Sequence, residues 1–180
     1  MPEPIRIGFI GAGNMGQCAH LRNYATLKEC KVVALAELRP KTAEAVANRH
    51  GIRQVYKDHR ELLANAEVDA LVCVQPFARH GLLLPELARA GKPLFIEKPL
   101  TSNLDCAKTI LGALRDAGTW AMLGYHKRSD PAVMFAKAET DRLRQSGELG
   151  ALTYVRISMS RGEWIRNGMF DLINAGEPKP

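Results

Sequence analysis

The chain has 180 residues, 46% of them hydrophobic and 24% charged, a composition that suits a globular protein and argues against a disordered or membrane-embedded one. Its formal charge of +6 is spread along the chain among acidic residues, without a basic block, so no nucleic-acid partner is expected. Cys18, Cys30, Cys73 and Cys106 lie far apart, with no CxxC pair and no metal-ligand spacing, and read as reduced thiols without a metal site.

Met1-Pro2-Glu3-Pro4 leads directly into an apolar run, without a basic and apolar leader, and no run approaches membrane-spanning length; a cytoplasmic location and no membrane partner are expected. From there short apolar runs alternate with helical patterns. The runs Ile5 to Ile10, Lys31 to Ala36, Gln54 to Tyr56, Val68 to Val74, Pro93 to Ile96 and Trp120 to Gly124 are continuous rather than alternating. Strands read this way when helices cover both sheet faces, so the fold class is α/β, a doubly wound parallel sheet of the Rossmann type. Between them, Pro40 suits a first helical turn and Gly51 a left-handed C-terminal cap. Ser102 and Asp105 resemble a capping box ahead of Leu104, Ala107, Leu111 and Leu114, with Gly118 closing that helix. Ser129-Asp130-Pro131 starts a further helix over Val133 to Gln145, and Leu152 to Ser160 alternates as a strand with one solvated face. This predicts a dinucleotide-binding domain over 1–124, then a connecting helix and the first strand of an incomplete α+β domain over 125–180.

Gly11-Ala12-Gly13-Asn14-Met15-Gly16 is a GxGxxG placed after a strand and at a helix start, the context in which the pattern is informative. Gly11 permits the tight turn, Gly13 lets a pyrophosphate approach the backbone, and Gly16 lets the helix pack on the strand. Glu37 ends the second strand about twenty residues on, where a carboxylate accepts hydrogen bonds from ribose hydroxyls, which favours NAD. Arg39, two residues further, leaves room for NADP by pairing with a 2′-phosphate. A solvated surface position is the plain alternative for Glu37.

With these residues in place the chain resembles the Gfo/Idh/MocA oxidoreductases, which act largely on sugars, polyols and related compounds with NAD or NADP. Gln75-Pro76-Phe77, with His80 three residues later, is similar to that family's cofactor loop after the fourth strand, although Gln75 and Phe77 stand where the family has Thr and Asn. Glu97-Lys98-Pro99 is similar to its most specific signature. The resemblance implies that Lys98 lies by the nicotinamide and stabilises developing alkoxide charge, with Glu97 positioning it. It also implies a basic residue after the next strand near nicotinamide or substrate, for which Lys127 is the first choice and Arg128 the rival; His126 adjoins them. His80 is expected to order its loop. Trp164 and Arg166 are residue types that line pockets, with packing the plainer role for the aromatic.

The likeness covers residues 5 to 160. The family's Asp and His in a Gly-rich motif, the His serving as acid-base catalyst, have no counterpart, and no histidine follows His126. The expected function is hydride transfer between nicotinamide and a sugar, polyol or related hydroxyl or carbonyl substrate, by a chain holding the cofactor half. The alternative is a non-catalytic dinucleotide-binding or redox-sensing module that associates with a partner chain through the Leu152 to Ser160 strand, the same strand by which an oligomer would form. A methyltransferase with a glycine-rich S-adenosylmethionine loop is a third reading, disfavoured by the joint presence of GxGxxG and Glu97-Lys98-Pro99.

Overall fold

The apolar runs of the first half do form strands. In the computed structural model, which describes residues 2–158 and 172–178, these are β1 (Ile5–Ile10), β2 (Cys30–Ala36), β3 (Gln54–Tyr56), β4 (Ala70–Cys73), β5 (Leu94–Ile96) and β6 (Ala121–Leu123). All pairings are parallel, in the order β3-β2-β1-β4-β5-β6. The order reverses direction between β1 and β4, and the crevice beyond the carboxyl ends of those two strands is where an open α/β sheet holds ligand.

Side-chain alternation explains why the strands read as unbroken apolar runs. Phe9, Leu35 and Val72 enter one core with Val46 and Ala47 of α2 (Pro40–His50). Their chain neighbours Ile10, Ala34, Ala36, Leu71 and Cys73 enter the other. That second core also takes Leu62 of α3 (His59–Asn65), Leu84 and Leu87 of α4 (His80–Arg89) and Ile110 of α5 (Leu104–Asp116). A period of two thus feeds both faces of the central strands, while Val55 of β3 and Met122 of β6 stay exposed at the two edges.

Helix ends follow local chemistry. Pro40 opens α2 and Gly51 closes it with φ of 64°. The Asp58 side chain accepts from Glu61 N–H at 2.9 Å at the start of α3. At α5 the structure corrects the expected Ser102 cap: Asn103, in extended backbone, accepts from Cys106 N–H at 2.8 Å. Helical geometry begins at Leu104, so only the residue directly before it can reach the second or third N–H. Between β1 and β2 a π-helical turn, Gly16–Leu21, runs into the short α1 (Arg22–Tyr24).

The described residues separate into two compact units, 2–124 with 172–178 and 125–158. The second contains α6 (Pro131–Ser146), capped by Asp130, which accepts from Ala132 N–H at 3.0 Å. The strand expected over Leu152 to Ser160 is not formed at 152–158, and 159–160 lie outside the described residues. A strand exists through the ladder it shares with a neighbour, and among the described residues none pairs with this segment. Tyr154, Val155 and Ile157 are accordingly exposed. Residues 172–178 do not continue the second unit but pack on the first: the Gln17 side chain accepts from Ile173 N–H at 2.9 Å and donates to the Ile173 carbonyl at 3.1 Å. Among the described residues no helix is long and apolar enough to cross a membrane.

The cap correction is directly checkable. Asn103→Ala is expected to lower unfolding stability by about 1 kcal/mol, read as a lower urea midpoint, whereas Ser102→Ala leaves the midpoint unchanged.

Candidate functional site

The loop leaving β1 is shaped by contacts at its two outer glycines and openness at the middle one. Gly11 has φ of 102°, and a Cβ there would overlap the Val74 carbonyl and the Gln75 side-chain amide. A Cβ on Gly16 would overlap the Gly11 carbonyl, so any side chain would force the helix start away from the strand. A Cβ on Gly13 would meet nothing within 4 Å. The middle glycine therefore faces open space on the ligand side, the feature a pyrophosphate needs for close backbone approach. Gln17, buried behind the loop, donates to the Ala12 carbonyl at 2.8 Å, and Gln17 N–H donates to Gly13 O at 2.9 Å.

At the end of β2, Glu37 is only 6% exposed and is not the solvated surface residue of the alternative reading. Its carboxylate accepts from Ala12 N–H at 2.8 Å and from Arg39 through Nε at 2.9 Å, Nη2 at 3.0 Å and the backbone N–H at 3.2 Å. Burial alone pushes this carboxyl up, but the Arg39 guanidinium and the Ala12 N–H outweigh it and hold the group below the usual glutamate value. Arg39 also donates to the Ala12 carbonyl at 3.2 Å, so its present partners are Glu37 and the glycine loop.

The loops after β4 and β5 form the other wall and are strapped together by His80. This fully buried ring lies 3.1 and 2.9 Å from the Pro99 and Leu100 carbonyls on one side, and 3.1 Å from the Gln75 carbonyl on the other. Pro76, Phe77 and Arg79 line the opening, with Phe77 half exposed and Arg79 within a single 3-10 turn, Phe77–Arg79. Buried Glu97 is fixed by its N–H to Cys73 O at 2.9 Å, and its side chain lies 3.1 Å from Nε2 of His20. The His20 ring packs against Phe95 with centroids 5.2 Å apart. Lys98 follows on a cis Lys98–Pro99 peptide, exposed and without a hydrogen-bond or ion-pair partner among the described residues. The Cys73 thiol, buried at the end of β4, is pushed up to about 12 by desolvation, which removes it as a nucleophile.

Gly11, Gly13, Asn14, Met15, Gly16, Glu37, Arg39, Gln75, Pro76, Phe77, Glu97 and Lys98 all border one cleft of about 310 Å³. His80 supports its wall from behind. A second cavity of about 370 Å³ shares Glu37, Gln75 and Arg79 with it and extends over Leu82 and Asp58. Lys127 belongs to the second unit, where its ammonium is 3.1 Å from Asp130 at the start of α6, with His126 and Arg128 in the same short turn. Trp164 and Arg166 lie outside the described residues. Sequence reading missed two groups: His20, which a π-helical turn carries to Glu97, and Arg79, a cation bordering both cavities whose only signal was its place beside Gln75-Pro76-Phe77. The arrangement offers an anion-receptive glycine loop, a buried carboxylate at one end and an unpaired ammonium at the other. An extended dinucleotide fits that donor set, with the open face of Gly13 against its pyrophosphate.

Because the Glu37 carboxyl titrates lower in the folded than in the unfolded chain, its ionised form stabilises the fold above the ordinary value of 4.5, and that contribution is lost as pH falls below it. Wild-type protein is therefore expected to lose its stability margin over Glu37→Gln between about pH 5 and pH 3, followed by urea midpoints at each pH. A margin constant across that range would contradict the pairing.

Comparison with known proteins agrees with this geometry. Residues 5–125 match the model of the Gfo/Idh/MocA oxidoreductase family, NAD-binding Rossmann fold. The chain is 31% identical over 157 residues to scyllo-inositol 2-dehydrogenase (NAD(+)) of Bacillus subtilis strain 168, covering 87% of this chain and 44% of that one. It superposes with a TM-score of 0.73 and 26% identity on scyllo-inositol dehydrogenase from Lactobacillus casei, solved with NAD(H) and scyllo-inositol, covering 83% and 43%. A 3-ketoreductase from Actinomadura kijaniata, solved with TDP-benzene and NADP, matches with a TM-score of 0.70 and 26% identity over 80% and 43%. The chain spans less than half the length of these relatives. With the family model covering most of the chain and the glycine loop, Glu37, Glu97 and Lys98 in one cleft, the chain belongs to the Gfo/Idh/MocA oxidoreductases, and residues 5–125 are that family's NAD-binding Rossmann domain.

Proposed function

We propose that this chain is the cofactor-holding part of a dehydrogenase that moves a hydride between nicotinamide and the carbinol carbon of a sugar or polyol-like substrate. The observation that carries the reading is the cleft itself, with Glu37 and Lys98 at its two ends and the open face of Gly13 between them. Glu37 would orient the adenosine ribose, the glycine loop would hold the pyrophosphate, and the cavity over Leu82 and Asp58 has the place and size for adenine. Arg79, on the rim of both cavities, adds a cation for the phosphates.

When bound, the nicotinamide supplies the hydride acceptor or donor. Lys98 donates a hydrogen bond to the reacting oxygen and stabilises its alkoxide charge as the hydride leaves. An ammonium engaged by a protein carboxylate would be diverted from that task; Lys98 has no such partner among the described residues. Glu97 holds the start of the Lys98 loop through Cys73 and is itself steadied by His20, so both act as positioning groups. Lys127 is kept as a second cationic candidate on the sequence likeness. The hydroxyl proton is a separate transfer, which the family assigns to an Asp/His motif without counterpart in these 180 residues. The inositol dehydrogenases among the relatives favour a polyol as the substrate class.

Calorimetric titration of the purified chain with NADH tests the reading first. Saturable binding is expected, weakened at least about tenfold by Gly13→Val with the thermal midpoint unchanged, because the new side chain enters open cleft and meets only ligand. Gly16→Ala is expected to lower the thermal midpoint instead. Folded wild-type protein that binds no nucleotide would overturn the proposal.

Lys98→Ala is expected to leave the NADH affinity of this chain within a few-fold, and, in a full-length enzyme that joins this chain to a substrate domain with the Asp/His motif, to lower inositol-dependent NAD reduction by about a hundred- to thousandfold, separating charge stabilisation from cofactor binding. Undiminished turnover would remove Lys98 from the chemistry.

A further inference from the structure

The first turn of α2 is occupied by a side chain from far along the chain. The Glu177 carboxylate accepts from Lys41 N–H at 3.1 Å, Thr42 N–H at 2.7 Å and the Thr42 hydroxyl at 2.8 Å. The N–H groups opening this 11-residue helix lack intrahelical partners and, with the helix dipole, favour an anion. Thr42 is fully buried, so the contact reaches inside the helix packing, and the segment is independently held by the two-way pairing of Ile173 with Gln17.

Arg39 stands directly before this turn, and its guanidinium is engaged with Glu37. A phosphate on the 2′-oxygen of a ribose oriented by Glu37 would look to two nearby sources of positive potential: the Arg39 guanidinium and the opening turn of α2. In this chain each already holds a carboxylate, from Glu37 and Glu177 respectively. We infer that Glu177 is a cofactor-selectivity residue whose charge, placed on the α2 turn by segment 172–178, disfavours nucleotides carrying a 2′-phosphate and so favours NAD over NADP. The inference rests on the proposed cofactor reading and adds a determinant outside the β2 loop. Neutralising Glu177 removes one negative charge from the neighbourhood of a dianionic phosphate and returns the α2 N–H groups to a ligand. Glu177 lines neither of the two cavities proposed to hold NADH, so its neutralisation leaves those contacts in place.

The test compares wild-type, Glu177→Gln and Glu177→Ala chains by calorimetry with NADH and NADPH. Glu177→Gln retains an acceptor for Thr42 and so protects the fold if the alanine variant is unstable. The expected result is NADPH affinity raised on the order of fivefold to tenfold with NADH affinity within about twofold. In parallel, 2′-AMP is expected to shift the Lys41 and Thr42 amide resonances in Glu177→Gln more than in wild type, with 5′-AMP giving no such difference. If wild type binds NADH but Glu177→Gln leaves the NADPH-to-NADH ratio unchanged, the role of Glu177 is overturned and the cofactor reading stands. If folded wild type binds neither nucleotide, the cofactor reading falls and the selectivity inference with it.

Discussion

A buried carboxylate tolerates its desolvation only when its oxygens are filled with good donors, and Glu37 meets that demand in a way that organises its surroundings. The Ala12 N–H that it accepts lies between the first two glycines, and the Arg39 groups that complete it immediately precede α2. One side chain thus joins the end of β2, the turn after β1 and the start of a helix. Displacing it would leave a buried N–H and a half-buried guanidinium without partners at once, and the shape of the glycine loop would go with them.

The far end of the cleft repeats the device with different chemistry. Glu97 is likewise a buried carboxylate at a strand end with a basic neighbour, here the imidazole of His20 resting on Phe95. Between the two, His80 draws together backbone carbonyls of the loops after β4 and β5. The groups that set geometry, Glu37, Glu97 and His80, are buried and hydrogen-bonded. Lys98 and Arg79, which would meet ligand, are exposed at the cleft. Pre-organisation and availability are carried by separate residues, so a substitution in one class need not disturb the other.

What was legible in the sequence is what local chemistry determines. Strands fed from both faces read as apolar runs, and the glycine motif announced its turn because the positive φ of Gly11 and the close approach of Gly16 to the Gly11 carbonyl are set within a few residues of chain. The N-cap of α5 was misread by one residue because Ser102 and Asn103 are both competent acceptors and only the backbone angles decide between them. The strand at Leu152 to Ser160 was over-read because alternation reports a preference, and the described part of that segment has no neighbouring strand to satisfy it. His20 beside Glu97, and Glu177 on α2, join residues 77 and 135 or more positions apart, and no local pattern encodes either meeting. The sequence placed Glu37 at the strand end as a ribose acceptor, but not its burial, since only the assembled loop supplies the Ala12 and Arg39 donors that permit it.

The π-helical turn at Gly16–Leu21 changes the residue count between the glycine motif and the strand that follows. Hydrogen bonds from i to i+5 wind more residues into a turn than α geometry does, so the turn acts as a one-residue insertion absorbed inside a helix. Against a relative with a regular α-helix at this place, the correct alignment opens a gap within a helix, the position where gaps are least expected. A gapless alignment would seat Ala19 or Leu21 in the column that the three-dimensional structure gives to His20. Where a relative has that regular helix, positional equivalence after the glycine motif is kept by space rather than by counting.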